Sequence, residues 1–292
     1  MSDYIIRATA ANGQIRAFAS TTKELAETAR QLHNTSPVGT AALGRLLTAA
    51  GMMGSMMKNK DDMLSIILNA DGPMGKTGVT ANAYADVKGY ISNPDFQNPP
   101  NYFGKLDVGG AIGNGTLKVI KDMGLKEPYI GQTGLITGEI AEDLTYYFAA
   151  SEQVPTSVAL GVLLNHDNTV KQAGGFIIQL MPFAEDEIID RLEKNIKEIT
   201  SVTELLDSGL SPEQILEKIL GEFGLEFNET ISTKYQCGCS REKVSKVLIS
   251  VGKKELESMI ADGQPVEVCC HFCNTKHVFS IEELKELLKQ SV

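Results

Sequence analysis

The motifs Cys237-Gly238-Cys239 and Cys270-His271-Phe272-Cys273 place four cysteines in two close pairs near the end of the chain. Each pair offers two sulfur atoms from one tight turn, and one chain reversal between the pairs brings all four sulfurs together. Four thiolates at this spacing are the ligands of a tetrahedral zinc site. Because the one-residue spacing of the first motif also allows its two sulfurs to form a disulfide, we expect oxidants to act on the same site.

The distribution of cysteines and the start of the chain indicate a cellular compartment. All five cysteines, including Cys269, lie in the last fifth of the 292 residues. Residues 1–7 lack the basic start, apolar run and small-residue cleavage site of an export signal, and no apolar run is long enough to cross a membrane. We therefore expect a cytoplasmic protein without a membrane partner, whose cysteines are metal-bound rather than disulfide-bonded at rest.

Negative charge is concentrated in one segment, residues 183–231, which carries thirteen acidic and four basic residues of a chain whose net charge is −10. Phosphate contacts need Lys and Arg, so nucleic-acid binding by this segment is disfavoured. The apolar residues recur at helical spacing, and Ser211-Pro212 begins a second helical run. The predicted apolar stripe consists of Ile188, Leu192, Ile196, Ile199, Ile215, Leu216 and Ile219.

The remaining chain predicts an α+β fold in three parts. Residues 1–182 form an N-terminal mixed α/β domain, residues 183–231 an acidic helical linker, and residues 232–292 a small C-terminal zinc-binding domain. We expect the linker stripe to dock on the N-terminal domain, because helices rich in like charge gain most of their stability from packing. In the N-terminal domain the patterns predict a helix from Ser36-Pro37 to about Lys58, strands and turns over 71–94 and 107–138, a helix over 152–162 and a strand over 174–180.

The C-terminal part reads as a compact α+β unit. Helices are predicted over 241–251 and 253–261, and short strands over 266–268 and 278–279. Ser280 and Glu283 form a capping box that starts a final helix. Both cysteine pairs therefore fall at turns, where ligand geometry is easily made.

Three further features leave alternatives open. His271 and His277 flank the cysteines and are candidate replacement ligands, although four cysteines already complete a tetrahedron. Met52, Met53, Met56 and Met57 form one helix face, which suits a core or subunit contact and, as the alternative, a client-binding surface. The near-match Gly72-Pro-Met-Gly-Lys-Thr77 lacks the first glycine of a phosphate loop, because Ala70 occupies that position.

The two cysteine motifs after an acidic helical segment, together with the stretch from Ser36 to Arg45, closely resemble the heat shock protein 33 family of redox-regulated chaperones. The resemblance covers essentially the whole chain. It implies an ATP-independent holdase, not an enzyme, that is idle when it is reduced and holds one Zn²⁺ per chain. The family's four ligands fall on Cys237, Cys239, Cys270 and Cys273, and Cys269 lies outside that pattern.

The resemblance also implies how such a protein is activated. Oxidation forms two disulfides between sequence neighbours, Cys237 with Cys239 and Cys270 with Cys273, and zinc is released. The linker then unfolds, the active form tends to form a homodimer, and unfolded or partly folded client proteins are the partners.

Two other classes remain open from the residues alone. A zinc-ribbon nucleic-acid-binding regulator would use the basic residues of the C-terminal part, such as Lys243 and Lys246, and a gel shift distinguishes it. A zinc hydrolase would need an open ligand position and a general base, and four cysteine ligands leave no such position.

Overall fold

A computed structural model of the chain describes residues 2–97, 99 and 105–291. The chain separates into two units, Met1–Gln236 and Cys237–Val292. In chain order, the elements of the first unit are β1 (Tyr4–Ala10), β2 (Ile15–Thr21), α1 (Lys23–His33), α2 (Pro37–Gly54), β3 (Met63–Ala70), β4 (Thr77–Asn82), β5 (Asp86–Ile91), α3 (Val108–Ile112), β6 (Gly115–Asp122), β7 (Tyr129–Gly134), α4 (Ala141–Tyr147), β8 (Thr156–Leu164), β9 (Val170–Leu180), α5 (Asp186–Lys197), α6 (Val202–Asp207), α7 (Pro212–Leu220), β10 (Glu226–Ser232) and β11 (Lys234–Tyr235).

Two sheets organise the first unit. One has the order β10-β1-β2-β9-β8 and is antiparallel throughout. The other has the order β11-β5-β4-β3-β6-β7, in which only the short β11–β5 pair is parallel. Side chains alternate across a strand, so neighbouring residues such as Ile5 and Ile6 enter different apolar clusters on opposite faces of the first sheet.

Helix α2 contributes to the main core, which it shares with residues of both sheets, and it is buried on nearly every side. Its sequence is rich in Ala, Leu, Gly and Met, and a helix that is apolar all round must be buried. The Ser36 hydroxyl accepts a hydrogen bond from the Gly39 amide at 3.2 Å, which confirms the predicted cap. The helix ends at Gly54, one turn before the predicted end at Lys58.

The predicted helix over 152–162 is wrong. A π-helical turn occupies Phe148–Glu152, Gln153 is left-handed with φ of 57°, and Thr156–Leu164 forms β8. Pro155 disfavours a helical conformation at the residue before it, and β8 pairs along its length with β9. Long-range strand pairing therefore overrides the local helical pattern. Strands β1 and β2 and helix α1 had no counterpart in the sequence predictions.

The acidic segment is helical only in its first part. Helices α5, α6 and α7 extend to Leu220, a 3₁₀ turn follows, and Glu226–Ser232 forms β10 on the edge of the first sheet. The helical prediction to residue 231 is therefore wrong for β10. Phe227, Thr230 and Ile231 favour a strand, and β1 offers an edge on which the strand can pair.

The second unit agrees closely with the predicted elements, which are α8 (Arg241–Ser250), α9 (Lys253–Ala261), β12 (Val266–Cys269), β13 (Lys276–Phe279) and α10 (Ile281–Gln290). The capping box of Ser280 and Glu283 is present. The core of this unit is small, and its buried apolar residues are Val244, Leu248, Leu256, Phe279, Leu284 and Leu287. A core of this size gains much from a cross-link.

Among the residues that the structure describes, no helix combines the length and the apolar character that a membrane span requires.

Candidate metal centre and the surface beneath the acidic helices

The first cysteine pair lies in the irregular segment between β11 and α8. The Ser240 hydroxyl caps α8 by accepting a hydrogen bond from the Lys243 amide at 3.2 Å. Lys243 Nζ then donates to the Gly238 carbonyl oxygen at 2.7 Å. These contacts fix the turn that carries Cys237 and Cys239 to the start of a helix.

The second pair occupies the turn between β12 and β13. The Cys270 amide donates to the Thr275 carbonyl at 3.0 Å, and the amides of Cys273 and Asn274 donate to the Cys270 carbonyl. Asn274 has a φ of 54°, a left-handed conformation that asparagine tolerates better than most residues. The hairpin therefore folds both sulfurs of Cys270 and Cys273 toward one side.

The four sulfurs converge on one point, as the spacing predicts. All four Sγ atoms lie within 4.8 Å of one another. Cys237 Sγ lies 3.7 Å from Cys270 Sγ, and Cys239 Sγ lies 3.3 Å from Cys273 Sγ. Four sulfurs at zinc–sulfur bonds of about 2.3 Å are separated by about 3.8 Å in a tetrahedron. The donor set is all sulfur and its separations suit a zinc ion.

The thiols differ in acidity. Burial raises the pKa values of Cys237 and Cys239 above the usual range of a thiol, and the neighbouring Cys273 adds to the rise at Cys239. Burial acts in the same direction on Cys273, but hydrogen bonds with the Thr275 hydroxyl and backbone outweigh it and lower the pKa of Cys273 to about 7. Cys273 is therefore more easily ionised than Cys237 and Cys239 in this arrangement.

Three flanking residues that the sequence raised lie outside the four-sulfur group. His271 and His277 are not part of it. His277 is on β13, where its buried Nε2 atom has no hydrogen-bond partner among the described residues. Cys269 ends β12, is exposed, and pairs in register with Lys276.

The predicted apolar stripe of the acidic segment packs on the outer face of the first sheet. Leu192, Ile215, Leu216 and Ile219 are buried there, whereas Ile188, Ile196 and Ile199 are partly buried. Half of the buried sheet residues in this cluster are alanines, and the full set is Ile6, Ala8, Ala10, Ile15, Ala17, Ala19, Phe176 and Ile178.

Polar contacts also join the acidic segment to the sheet. Lys171 Nζ lies 2.8 Å from Asp207, and Arg7 lies 2.9 Å from Glu229. The Tyr4 hydroxyl donates to Glu213 at 2.8 Å. The side chains of the two ion pairs are 31% to 55% exposed, so these pairs contribute little stability and mainly set orientation.

A pair of glycines lets α6 approach the sheet closely. No motif in the sequence indicated this close contact. Gly161 of β8 and Gly174 of β9 are cross-strand partners. A Cβ at Gly161 would lie 2.4 Å from Thr203 Cγ2, and a Cβ at Gly174 would lie 2.7 Å from Leu206 Cδ1. Because neither residue has a side chain, the two glycines form a flat patch of the sheet, here called the glycine window, against which α6 packs.

Comparison with known proteins places this geometry in a family. The family model described as Hsp33 protein matches residues 3–280. The chain is 63% identical over 291 residues to the 33 kDa chaperonin of Lachnoclostridium phytofermentans, and the match covers all of both chains. It is 50% identical to the 33 kDa chaperonin of Clostridioides difficile, over 99% of this chain and all of that protein.

A solved structure agrees with the fold. The crystal structure of the 33 kDa chaperonin (heat shock protein 33 homolog) from Thermotoga maritima superimposes with a TM-score of 0.92 at 40% sequence identity. The match covers 99% of each chain.

Proposed function

The chain belongs to the Hsp33 protein family, and from that premise we propose that it is a redox-regulated, ATP-independent holdase that is idle when reduced. Four thiols that converge from two turns of one small unit are the observation that carries the proposal. Its partners are unfolded or partly folded proteins, whose aggregation it prevents in the cytoplasm. Its active form is a homodimer, and it needs neither nucleic acid nor a membrane.

Metal binding is assigned to the four cysteines of the second unit. Cys237, Cys239, Cys270 and Cys273 would hold one Zn²⁺ per chain in the reduced state. A bound zinc ion would supply a cross-link between the two turns, on the order of 10 to 16 kcal/mol of apparent folding free energy. The small core of the second unit is the reason that such a cross-link would matter.

Oxidation by a peroxide would remove the ligands in pairs. A thiolate attacks one peroxide oxygen and becomes a sulfenic acid as the O–O bond breaks, and the second thiol of the pair then displaces water to form a disulfide. Each pair of thiols thus loses two electrons and two protons, and hydrogen peroxide takes them up to become two waters.

The disulfides are assigned within each motif, Cys237 with Cys239 and Cys270 with Cys273. In the folded unit, sulfur contacts also cross between the motifs, at 3.7 Å from Cys237 to Cys270 and 3.3 Å from Cys239 to Cys273. Sequence neighbours stay close after the cross-link is lost, whereas the two turns are then free to separate, because only the intervening chain joins them. Peptide mapping that found mainly bonds between the two motifs would overturn this pairing.

Loss of the second unit's fold is proposed to release the acidic segment. Residues 233–236, which directly precede Cys237, belong to the first unit and continue the chain from β10: Thr233 N donates to Asp3 O at 3.1 Å, and Gln236 N donates to Val87 O at 2.8 Å. The thirteen acidic residues of the segment repel one another, so its helices depend on their apolar contact with the sheet. Once they detach, a flat apolar sheet face is open to apolar segments of client proteins.

One experiment tests the coupled steps. Zinc release, read with a chromogenic chelator, and suppression of aggregation of a chemically unfolded client are followed together during peroxide treatment. We expect both to rise with the same time course in wild type and in Cys269→Ser, and the Cys270→Ser protein to bind zinc weakly from the start. Full aggregation suppression by the reduced, zinc-loaded protein would contradict the proposal.

A further inference from the structure

A cavity of about 130 Å³ lies in the first unit, where the end of α2 meets both sheets and the π-helical turn. Met53 and Phe148, which are 2% and 1% exposed, and the half-buried Val154 give it apolar walls. An apolar cavity of about 150 Å³ holds a benzene molecule in another protein. The space therefore suits a small molecule with an apolar part.

Two charged side chains of the cavity lining, Lys121 and Glu152, already form an ion pair with each other. Lys121 Nζ forms an ion pair with Glu152 Oε1, which also accepts a hydrogen bond from the Tyr147 hydroxyl at 2.8 Å. Burial, and then the nearby Glu152, raise the pKa of Tyr147 well above its usual range, so this hydroxyl remains a donor. The wide π-helical turn, Phe148–Glu152, places both of its end residues against the cavity.

Arg16 is the remaining charge in the lining, whose two basic side chains and one acidic side chain leave one positive charge in excess. It is half-buried, and the acceptor of its side-chain hydrogen bonds is the neutral Gln179 Oε1, at 3.2 Å from Nε and 2.6 Å from Nη2. Among the described residues Arg16 forms no ion pair within 4.0 Å; burial, and then the neighbouring Arg7, lower its pKa, and the more distant charge of Glu152 acts in the opposite direction. A partly desolvated guanidinium without a carboxylate is costly, and it favours binding of an anion.

The Gln179 side chain is placed to hold Arg16 toward the cavity. Gln179 is 1% exposed, and its Nε2 donates to Thr156 Oγ1 at 3.2 Å. This bond orients Oε1 toward Arg16, so the guanidinium is positioned before any ligand arrives. A positioned polar group above apolar walls is the usual composition of a small-molecule site.

We propose that this cavity binds a small aliphatic monocarboxylate, with the carboxylate on Arg16 and the alkyl chain against Met53, Phe148 and Val154. Lys121 is already paired, so Arg16 supplies the single positive charge that is available to a ligand. This favours a ligand with one negative charge over a ligand with two. The apolar walls select an alkyl chain over a polar one. The volume limits the ligand to about the size of butyrate.

The direct test is titration of the full-length reduced protein with sodium butyrate, followed by calorimetry or ligand-observed NMR. We expect saturable binding with a dissociation constant on the order of 1 mM, the affinity of an efficient ligand of this size. Butyramide, which has the same shape without the charge, should bind at least about tenfold more weakly, since hydrogen bonds to charged groups are the stronger ones. Equal binding of the two compounds, or no saturation by about 50 mM butyrate, would overturn the proposal.

Two variants and a matched control locate the site. Arg16→Gln should weaken butyrate binding at least about tenfold. Arg7→Gln should change it less than about twofold, because Arg7 lies over the same Phe18 ring but pairs with Glu229 and is not in the cavity lining. Val154→Phe should abolish binding by filling the cavity while every charge stays in place. Butyrate binding that survives both Arg16→Gln and Val154→Phe would place the ligand elsewhere and refute the assignment.

Discussion

The glycine window under α6 offers the sharpest test of how the acidic segment is held. In Gly161→Ala the new Cβ would meet Thr203 Cγ2 at 2.4 Å and Val202 Cγ1 at 3.1 Å, both on the acidic segment. The three nearest atoms all belong to α6 residues, so the clash exists only while α6 is docked. Alanine itself is compatible with a strand, and the sheet should tolerate it.

The expected magnitude follows from overpacking. Inserting a methyl group into a closely packed contact costs about 1 to 3 kcal/mol. If the whole cost falls on the docked state, the undocked population of α6 rises roughly 5- to 150-fold. That range is measurable by hydrogen exchange, because the exchange rate of amides that open by undocking follows the same ratio.

The assay is hydrogen exchange of the reduced protein, with peptides covering 202–207 compared among variants. Thr203→Ser removes the clashing Cγ2 but keeps the hydroxyl that lies 3.1 Å from Ser201 Oγ, so the double variant should regain wild-type protection. Gly134→Ala is the matched strand control, since its Cβ would have no neighbour within 4 Å. Unchanged exchange of residues 202–207 in Gly161→Ala, or no recovery in the double variant, would refute the reasoning.

Three further predictions address the metal centre, the apolar stripe and the pH dependence. We expect Cys270→Ser to lose most of its zinc and Cys269→Ser to keep one zinc per chain, because Cys269 lies outside the four-sulfur group. Metal analysis of the purified variants measures this, and equal loss of zinc from the two variants would contradict the ligand assignment. Leu192→Glu, at a position that is 3% exposed, should weaken docking by roughly 2 to 5 kcal/mol and make the reduced protein partly active in aggregation suppression. Glu193→Gln on the exposed side of the same helix should leave it idle, and a fully idle Leu192→Glu protein would exclude the segment as the gate. Burial raises the pKa of the Asp3 carboxyl from 3.8 to about 6, so its contribution to stability is complete below about pH 4 and is lost as the pH rises through about 6. Asp3→Asn should remove this loss and raise the free energy of unfolding at pH 8 by at most about 3 kcal/mol. The measurement is urea unfolding of the wild type and of Asp3→Asn at pH 4 and pH 8. The same pH dependence of stability in the two proteins would disprove the role of Asp3.

The cysteine cluster and the second unit could be read from the sequence because their determinants are local. Two short motifs hold each pair of sulfurs within one turn, and the capping box of Ser280 and Glu283 marks a helix start from adjacent residues. The acidic segment was readable for the same reason, since the spacing of Leu192 and its neighbours defines a helix face. Met52 and Met53 are core residues, as one interpretation of the methionine face expects, whereas Met56 and Met57 follow the end of α2 and are partly buried, so the predicted helix face of four methionines is wrong for these two.

The errors lie where partners distant in sequence decide the conformation. Thr156–Leu164 became a strand because β9 pairs with it, and Glu226–Ser232 became a strand because β1 presents an edge. Backbone hydrogen bonds between such strands are worth more than a local helical preference, and a linear pattern carries no information on which partner will be near.

The sequence alone determined which four cysteines form two close pairs, where the acidic charge lies and which helix face is apolar. Only the tertiary structure decided what that face covers, how Gly161 and Gly174 admit α6, and that Arg16 is left in a cavity without a carboxylate partner among the described residues. Motifs, charge and helix periodicity are properties of neighbouring residues. Close approach and uncompensated charge arise from distant segments packed together, and they appear only when the chain is folded.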